Sequence, residues 1–420
     1  MTGHPMTLVE LLAHGDAALD GGLASELEAR GHDLTGTLWS ARLLAEDPEA
    51  IRDVHTAYFL AGATVGISAS YQASRAGFER NGLDVDEADR LLALSVSLVR
   101  EARAVAAGRG SHHPMLVAAS VGPYGATLHD GSEYRGRYGV SHDLLVDFHR
   151  ERLEVLVHAR PDFLAIETIP DLDEARAIVE ALQGIDAAAW MSFSCADDAT
   201  TCAGQPIEDA AALGAGAGLA AIGVNCTKPE HVLGLVARIR AAQPVLPIVV
   251  YPNAGRVWDG EASVWLGDGT DLLPRTAVRS WFDAGASMVG GCCGLGPDAV
   301  ADIVAVAASA GWARGRRRER TRARRRCRHL SGTGAEGSRA RVRVPRERPA
   351  QPCHPHLPRP GAGGRGASTD RGDAHRAADR RVPGVRAAAL AARAGALRVG
   401  PSAPLLPPSF AACPLSPASE

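Results

Sequence analysis

The sequence predicts an α/β protein built as a (β/α)8 barrel, the TIM barrel, and three observations lead to this prediction. Eight short, almost continuously apolar runs recur between residues 17 and 293, as expected of strands that are buried on both faces of a parallel sheet. Amphipathic stretches separate the runs. Eight repeats of an apolar run and an amphipathic stretch also match the TIM barrel, whose usual length is roughly 250 residues plus insertions. An open doubly wound sheet is the alternative, but the first repeat lacks the GxGxxG turn of a dinucleotide-binding unit.

Local signals support the alternation of strands and helices. Helix starts are predicted where Asp47 precedes Pro48, and at Asp171, Pro229 and Pro297, because Asp is a good N-cap and Pro suits the first helical turn. The predicted strands are 17–23, 64–70, 115–122, 163–169, 187–195, 220–226, 247–254 and 287–293.

Charge divides the chain into two segments. The net charge of −3 combines 24 arginines and 7 acidic residues in 314–420 with 21 basic and 41 acidic residues in 1–313. We therefore predict a barrel domain over 1–313 and a basic low-complexity tail over 314–420. The tail is rich in Arg, Pro and Gly, which predicts disorder, and out-of-frame translation of a GC-rich gene is an alternative origin. A basic tail can bind nucleic acid, but this one has Phe410 as its sole aromatic residue, so we expect no nucleic-acid partner.

Nothing in the sequence indicates a membrane or an export signal. No run of 18 apolar residues occurs, and Glu10 interrupts an N-terminal stretch that has no basic region before it. We expect a cytoplasmic protein without a membrane partner, in which the eight cysteines are thiols or metal ligands. The amino-acid sequence gives no prediction of the oligomeric state.

Three cysteines follow predicted strands of the barrel. Cys226 ends the sixth strand, and Cys292 and Cys293 end the eighth. Because all strand C-termini of a barrel open on one face, residues this far apart in sequence can meet there. Three thiolates with an open fourth position are typical of catalytic zinc, and a substrate thiol can complete the coordination as a thiolate. The alternative is that these are small buried residues, which is what we predict for Cys195 and Cys202.

The vicinal pair requires an unusual backbone, because successive residues of a regular strand point to opposite faces. Gly290, Gly291 and Gly294 bracket it as GGCCG, and glycine permits the conformations that turn both sulfurs to one point.

Polar residues occur at the same strand ends. Asp20 and Glu167 follow apolar runs, and we expect them to bind the amino group of an amino-acid substrate. Capping a loop or pairing with an arginine is the alternative. The backbone N–H groups of Gly21 and Gly22 are candidates for a substrate carboxylate, although a tight turn explains them equally well. Further candidates for substrate contact, or for satisfying loop backbone, are Asn225 and Asn253.

The motifs LDGGLASELEARGHDL (19–34), ETIPDLDEA (167–175), GVNCTKPEHV (223–232), YPNAG (251–255) and GGCCG (290–294) together resemble the homocysteine S-methyltransferases. The resemblance extends over roughly residues 15–312 and is nearest to the branch that uses S-methylmethionine. It implies a (β/α)8 barrel, Zn²⁺ held by Cys226, Cys292 and Cys293, and homocysteine bound near Asp20 and Glu167. The chain departs from the family at Arg256, where an acidic residue is common, and in its long tail.

The resemblance implies methyl transfer from a sulfonium to homocysteine, forming methionine. The nucleophile is then the zinc-activated substrate thiolate, without a separate protein nucleophile. Alternatives are S-adenosylmethionine or betaine as donor and selenocysteine as acceptor. A different class of function is a non-catalytic zinc or nucleic-acid binding protein that acts through its tail.

Overall fold

A computed structural model of the chain describes residues 6–15, 17–34, 39–128, 130–255, 257–259, 264–266 and 269–309. The chain divides into two units, Met1–Gly337 and Ser338–Glu420. The second unit and the predicted tail, 314–420, lie outside the described residues, so the predicted boundary at 313 stays a prediction.

Eight parallel strands form the barrel, and each lies at least in large part within one of the eight predicted apolar runs. Their order around the sheet is β1-β10-β7-β6-β5-β4-β3-β2, and a parallel bridge between Leu19 and Val65 joins the two ends. The predicted (β/α)8 barrel is confirmed. The strands, including the antiparallel hairpin β8–β9, are β1 Ala17–Ala18, β2 Val65–Ile67, β3 Leu116–Val121, β4 Phe163–Ile169, β5 Ala189–Phe193, β6 Ala221–Asn225, β7 Ile248–Tyr251, β8 Val257–Asp259, β9 Val264–Leu266 and β10 Ala286–Val289.

Helices follow the strands, and their starts agree with the sequence. The Asp47 carboxylate accepts a hydrogen bond from the Ala50 amide, the Asp171 carboxylate caps the next predicted start, and Pro229 occupies a first turn. The helices are α1 Leu8–His14, α2 Leu23–Ala29, α3 Leu43–Glu46, α4 Pro48–Leu60, α5 Arg75–Arg80, α6 Val85–Gly108, α7 His142–His158, α8 Leu172–Ala181, α9 Ile207–Gly216, α10 Pro229–Ala242, α11 Arg275–Ala284 and α12, which covers 297–309.

The inside of the barrel is a packed apolar layer. The rings of Phe163 and Trp190 pack in a tilted arrangement with their centroids 4.6 Å apart, and Tyr251 and Met288 are buried with them. Helix α1 joins this layer through its buried leucines and contacts β1 and β10, a role that we did not predict. A separate apolar layer lies between the strands and the outer helices, so the strands are buried on both faces.

Among the described residues, no helix is both long enough and apolar enough to cross a bilayer.

Candidate metal centre and active site

Three cysteine sulfurs meet at the C-terminal end of the barrel. The Sγ atom of Cys226 lies 3.2 Å from that of Cys292 and 3.6 Å from that of Cys293, and the last two sulfurs are 3.9 Å apart. Cys226 is buried and the vicinal pair is partly exposed. The structure thus brings together the three cysteines that the sequence selected, in a group able to bind a metal ion.

The backbone around the cysteines is held by the neighbouring strand ends. Cys226 follows β6 with a φ of 47°, a left-handed conformation that is uncommon for a residue with a side chain. Its amide donates to the Tyr251 carbonyl oxygen over 3.1 Å, and the Cys292 amide donates to that of Pro252 over 2.8 Å. Both cysteine-bearing segments are therefore fixed to the end of β7. Strained residues of this kind concentrate at functional sites.

The glycines of two motifs allow the segments to pack backbone to backbone. A methyl group added to Gly22 would lie 2.7 Å from the Cys292 carbonyl oxygen, and one added to Gly290 would lie 2.4 Å from Cβ of Leu19. Either distance is far shorter than a normal contact. The DGG motif at the end of β1 and the GGCCG motif after β10 therefore need glycine for close approach.

The three thiols share hydrogen bonds. Bonds from Cys292 and Cys293 lower the pKa of Cys226 well below its usual value. The same bonding to Cys226, together with burial, raises the pKa of Cys292 and Cys293. Hydrogen bonding by its two neighbours therefore favours the thiolate form of Cys226.

Two predicted carboxylates lie buried at this end of the barrel. Asp20 accepts a 2.7 Å hydrogen bond from the Ile67 amide, and Glu167 accepts one from the Ser120 hydroxyl. Burial raises the pKa of Asp20 well above its usual value, and the nearby Glu167 adds to the rise. Burial also raises the pKa of Glu167 to about 7, with a further contribution from Cys226. No arginine, lysine or histidine of the described region forms an ion pair with either carboxylate, so the predicted alternative of an arginine partner is not seen there.

Asn225 makes three hydrogen bonds within the protein. Its Oδ1 atom accepts from the Thr168 amide over 2.7 Å and from the Ser192 hydroxyl over 2.8 Å, and Nδ2 donates to the Thr168 hydroxyl over 2.7 Å. These bonds leave one Nδ2 hydrogen for a substrate. The bond from the Thr168 amide agrees with the predicted alternative, in which Asn225 satisfies backbone groups, and a substrate contact by Asn225 stays a prediction.

Asn253 and the DGG glycines have structural partners as well. Asn253 Oδ1 accepts from the Gly255 amide over 2.9 Å in a local turn. The Gly22 amide donates to the Leu295 carbonyl oxygen over 3.0 Å, so this N–H is occupied. A methyl group on Gly21 would lie 2.3 Å from the same oxygen. Substrate contacts by Gly21 and Asn253 stay predictions.

Three further residues of the site were not predicted from the sequence. The Tyr134 hydroxyl lies 3.6 Å from the Cys226 sulfur, and Glu133 precedes it in the 3-10 turn Ser132–Tyr134. The Tyr71 hydroxyl has a pKa raised by burial and then by Glu133 and Cys226. For Glu133 and Tyr134 the available signal was the length of the connection between the third predicted strand and the next helix, because long loops in compact domains are usually functional.

Buried polar contacts hold that connection, residues 122–141, against the barrel. The Glu174 carboxylate accepts from the Tyr124 amide over 2.5 Å, from the Tyr138 hydroxyl over 2.8 Å, and pairs with His149 at 3.0 Å. The buried Arg152 guanidinium donates to the Gly122 carbonyl oxygen over 2.7 Å. The turn that reaches Cys226 is thus anchored by α7 and α8.

Other residues that the sequence raised lie apart from this group. Cys195 is buried and Cys202 is half-buried, and neither belongs to the cysteine group found among the described residues. Arg256 lies outside the described residues.

Comparison with known proteins decides the family. The sequence profile of the homocysteine S-methyltransferases matches residues 17–307. The chain belongs to this family. It is a methyltransferase, and an interpretation as a non-catalytic protein acting through its tail is not favoured.

Individual relatives are similar in sequence to this chain over the length of the predicted barrel domain. The chain is 44% identical over 302 residues to homocysteine S-methyltransferase YbgG of Bacillus subtilis, covering 70% of this chain and 94% of that protein. It is 46% identical over 304 residues to homocysteine S-methyltransferase 4 of Zea mays, covering 69% and 88%. The metallated form of the homocysteine methyltransferase MmuM from Escherichia coli superimposes with a TM-score of 0.64 and 41% identity, covering 70% of this chain and 98% of that one.

Proposed function

We propose that this methyltransferase transfers a methyl group from S-methylmethionine to the thiol of homocysteine, with a zinc ion held by Cys226, Cys292 and Cys293. The observation that carries the proposal is the convergence of three sulfurs from two distant strand ends on one point. The family membership supports homocysteine as acceptor.

The spacing of the sulfurs suits zinc. Two ligands of a tetrahedral Zn²⁺ ion with bonds of about 2.3 Å are roughly 3.8 Å apart. The three separations, 3.2, 3.6 and 3.9 Å, bracket this value. Three protein thiolates leave the fourth position to a substrate, as in catalytic zinc sites, and thiolate ligands favour zinc over hard cations.

Asp20 and Glu167 are the proposed partners of the homocysteine ammonium group. Both carboxylates are buried without a cationic partner among the described residues, and Glu167 is close enough to Cys226 for that cysteine to raise its pKa. An ammonium group brings the missing positive charge and the hydrogen-bond donors. Further substrate contacts are proposed for Gly21, Asn225 and Asn253.

The reaction forms one S–C bond and breaks another. The homocysteine sulfur attacks a methyl carbon of the donor, whose S–C electron pair stays on the departing sulfur, so both products are methionine and the thiol proton is released. Bound zinc supplies a lowered thiol pKa, which gives a thiolate nucleophile at neutral pH. The residues of the chain orient the two sulfurs, and such positioning can lower a barrier by about 7–11 kcal/mol in favourable cases.

A screen of donors against acceptors tests the proposal. We expect purified protein to contain close to one zinc per chain and to form methionine from S-methylmethionine and ¹³C-labelled homocysteine, as followed by mass spectrometry. S-adenosylmethionine and betaine as donors, and selenocysteine as acceptor, are the comparisons. Preferred turnover of another donor would overturn the assignment of S-methylmethionine, and a lack of methyl transfer to homocysteine would overturn the acceptor.

The activity is proposed to reside in the barrel domain, 1–313. A chain lacking residues 314–420 should then keep its zinc and its turnover. Loss of methyl transfer from a soluble truncated chain would contradict this division.

A further inference from the structure

Glu133 is a buried carboxylate next to the cysteine group. It lies in the 3-10 turn Ser132–Tyr134 and is 8% exposed. Its Oε2 atom has no hydrogen-bond partner within the described part of the chain, and no ion pair there includes Glu133. A buried carboxylate oxygen without a partner is costly, and a ligand that brings positive charge would offset this cost.

The nearby arginine does not fill this role. Arg135 pairs with Asp130 at 3.6 Å and donates to the carbonyl oxygen of the same residue, with its side chain 66% exposed. Its charge lowers the pKa of Glu133, but this effect is smaller than the others that act on that carboxyl. Burial, followed by the charges of Asp130 and Cys226, raises that pKa to about 7. A bound cation would favour the ionised carboxylate.

Aromatic side chains lie on the same side of the site. The Tyr134 hydroxyl is 3.6 Å from the Cys226 sulfur, and the Tyr71 hydroxyl is near enough to Glu133 and Cys226 for both to raise its pKa. The Tyr134 hydroxyl therefore adjoins the sulfur beside which the acceptor thiol is proposed to bind, and Glu133 and Tyr71 are close enough to interact electrostatically with that cysteine. Cations without N–H donors are recognised by charge and by aromatic faces rather than by hydrogen bonds.

We propose that Glu133, Tyr71 and Tyr134 form the subsite for the sulfonium centre of the methyl donor, with Glu133 as its counter-charge. The inference rests on the proposed function and deepens it. An ammonium group would need several acceptors, which Asp20 and Glu167 provide elsewhere in the site, whereas a sulfonium needs only a negative charge and polarisable walls. Placed beside Cys226, this subsite presents the donor methyl to the acceptor sulfur.

The test measures how much the positive charge of the sulfonium contributes to binding, apart from the rest of the donor molecule. The full-length variants are Glu133→Gln and Glu133→Asp, with Glu101→Gln, an exposed glutamate of α6, as the matched control. The probes are S-methylmethionine and its neutral isostere 2-amino-5-methylhexanoate, which has CH in place of the sulfonium sulfur. The readouts are KM for each substrate, Ki for the isostere, zinc content and the unfolding midpoint.

Loss of the negative charge at Glu133 should weaken binding of the methyl donor but not binding of homocysteine or of the neutral isostere. We expect Glu133→Gln to raise KM for S-methylmethionine about 10- to 100-fold while KM for homocysteine and Ki for the isostere change by less than about twofold. Glu133→Asp should be intermediate, and Glu101→Gln should match the wild type. If Glu133→Gln does not fold or loses zinc, Glu133→Asp carries the same comparison.

Two results would overturn the subsite. One is an unchanged KM for the donor, and the other is an equal weakening of donor and isostere, which would mean that Glu133 binds the amino-acid moiety or only supports the loop. Failure of the proposed function is seen separately, because the wild-type protein would then not turn over S-methylmethionine, and both proposals would be wrong.

Discussion

Thr168 and Asn225 are joined by two reciprocal hydrogen bonds, although their strands, β4 and β6, are not neighbours in the sheet. The Thr168 amide donates to Asn225 Oδ1 and Asn225 Nδ2 donates to the Thr168 hydroxyl, each over 2.7 Å. Thr168 has a φ of 62°, in the left-handed region. Because Glu167 precedes Thr168 and Cys226 follows Asn225, this pair fixes the distance between a carboxylate and the sulfur of a proposed zinc ligand.

Removing the amide of Asn225 should weaken both the fold and the site. Asn225→Leu leaves the buried Thr168 amide without its acceptor and removes the donor to the Thr168 hydroxyl, so we expect the free energy of unfolding in urea to fall by about 2–5 kcal/mol. Asn225→Asp keeps the acceptor for the Thr168 amide and should lose less. A leucine variant as stable as the wild type would contradict the positioning role.

Replacing one thiol should abolish metal binding. Cys292→Ser exchanges a soft thiolate for a hydroxyl in the proposed zinc site, so zinc content after dialysis should fall at least about tenfold, and methyl transfer with it. Cys202→Ser, at a half-buried cysteine outside the group, is the control and should keep both. Full activity of Cys292→Ser without bound metal would refute a zinc mechanism.

Glu167 should make stability depend on pH. Its pKa is raised from 4.5 to about 7, chiefly by burial. Below pH 4.5 the carboxyl is protonated whether the chain is folded or unfolded. As pH rises from about 4.5 to about 7 the unfolded chain loses this proton while the folded chain keeps it, so stability falls, by on the order of 3 kcal/mol in total.

A neutral side chain at this position removes that penalty. Glu167→Gln should therefore be more stable than the wild type at pH 8 and equally stable at pH 4, in urea unfolding with a chelator present, while its KM for homocysteine rises. Glu101→Gln, at an exposed position, should show neither effect. An equal stability difference at both pH values would show that Glu167 does not titrate as described.

Close packing of the DGG and GGCCG motifs should tolerate no added methyl group. Gly22→Ala places a Cβ atom 2.7 Å from the Cys292 carbonyl oxygen, so we expect a loss of about 1–3 kcal/mol in stability together with weaker zinc retention. The control is Gly216→Ala at the end of α9, where a Cβ meets no atom within 4 Å. That variant should be as stable as the wild type or gain up to about 1 kcal/mol. Similar behaviour of the two variants would show that the motifs do not need close approach.

Much of the barrel follows from local sequence, and less of the site does. Continuous apolar runs predict buried strands such as β4, and Asp47 followed by Pro48 predicts the start of α4, because these signals act within a few residues. The meeting of Cys226 with Cys292 follows from the topology, since all strand ends share one face.

The remaining contacts depend on which loop folds over which strand end. Glu133 and Tyr134 lie in a long connection whose path is set by distant groups such as Glu174, so no local pattern marks them as part of the site. The left-handed backbone of Thr168 is likewise maintained by a partner 57 residues away. Periodicity within a segment carries no information about such partners.

The position of β10 in the barrel has a consequence for how the protein is made. This strand lies between β1 and β7, and Cys292 and Cys293 follow it directly. A chain emerging from the ribosome therefore presents Cys226 long before its two companion sulfurs exist. The segment with Cys292 and Cys293 completes the proposed metal ligands, and its strand also pairs with β1. If zinc binds as proposed, a nascent chain can complete the metal site only after this last strand of the barrel has been synthesised.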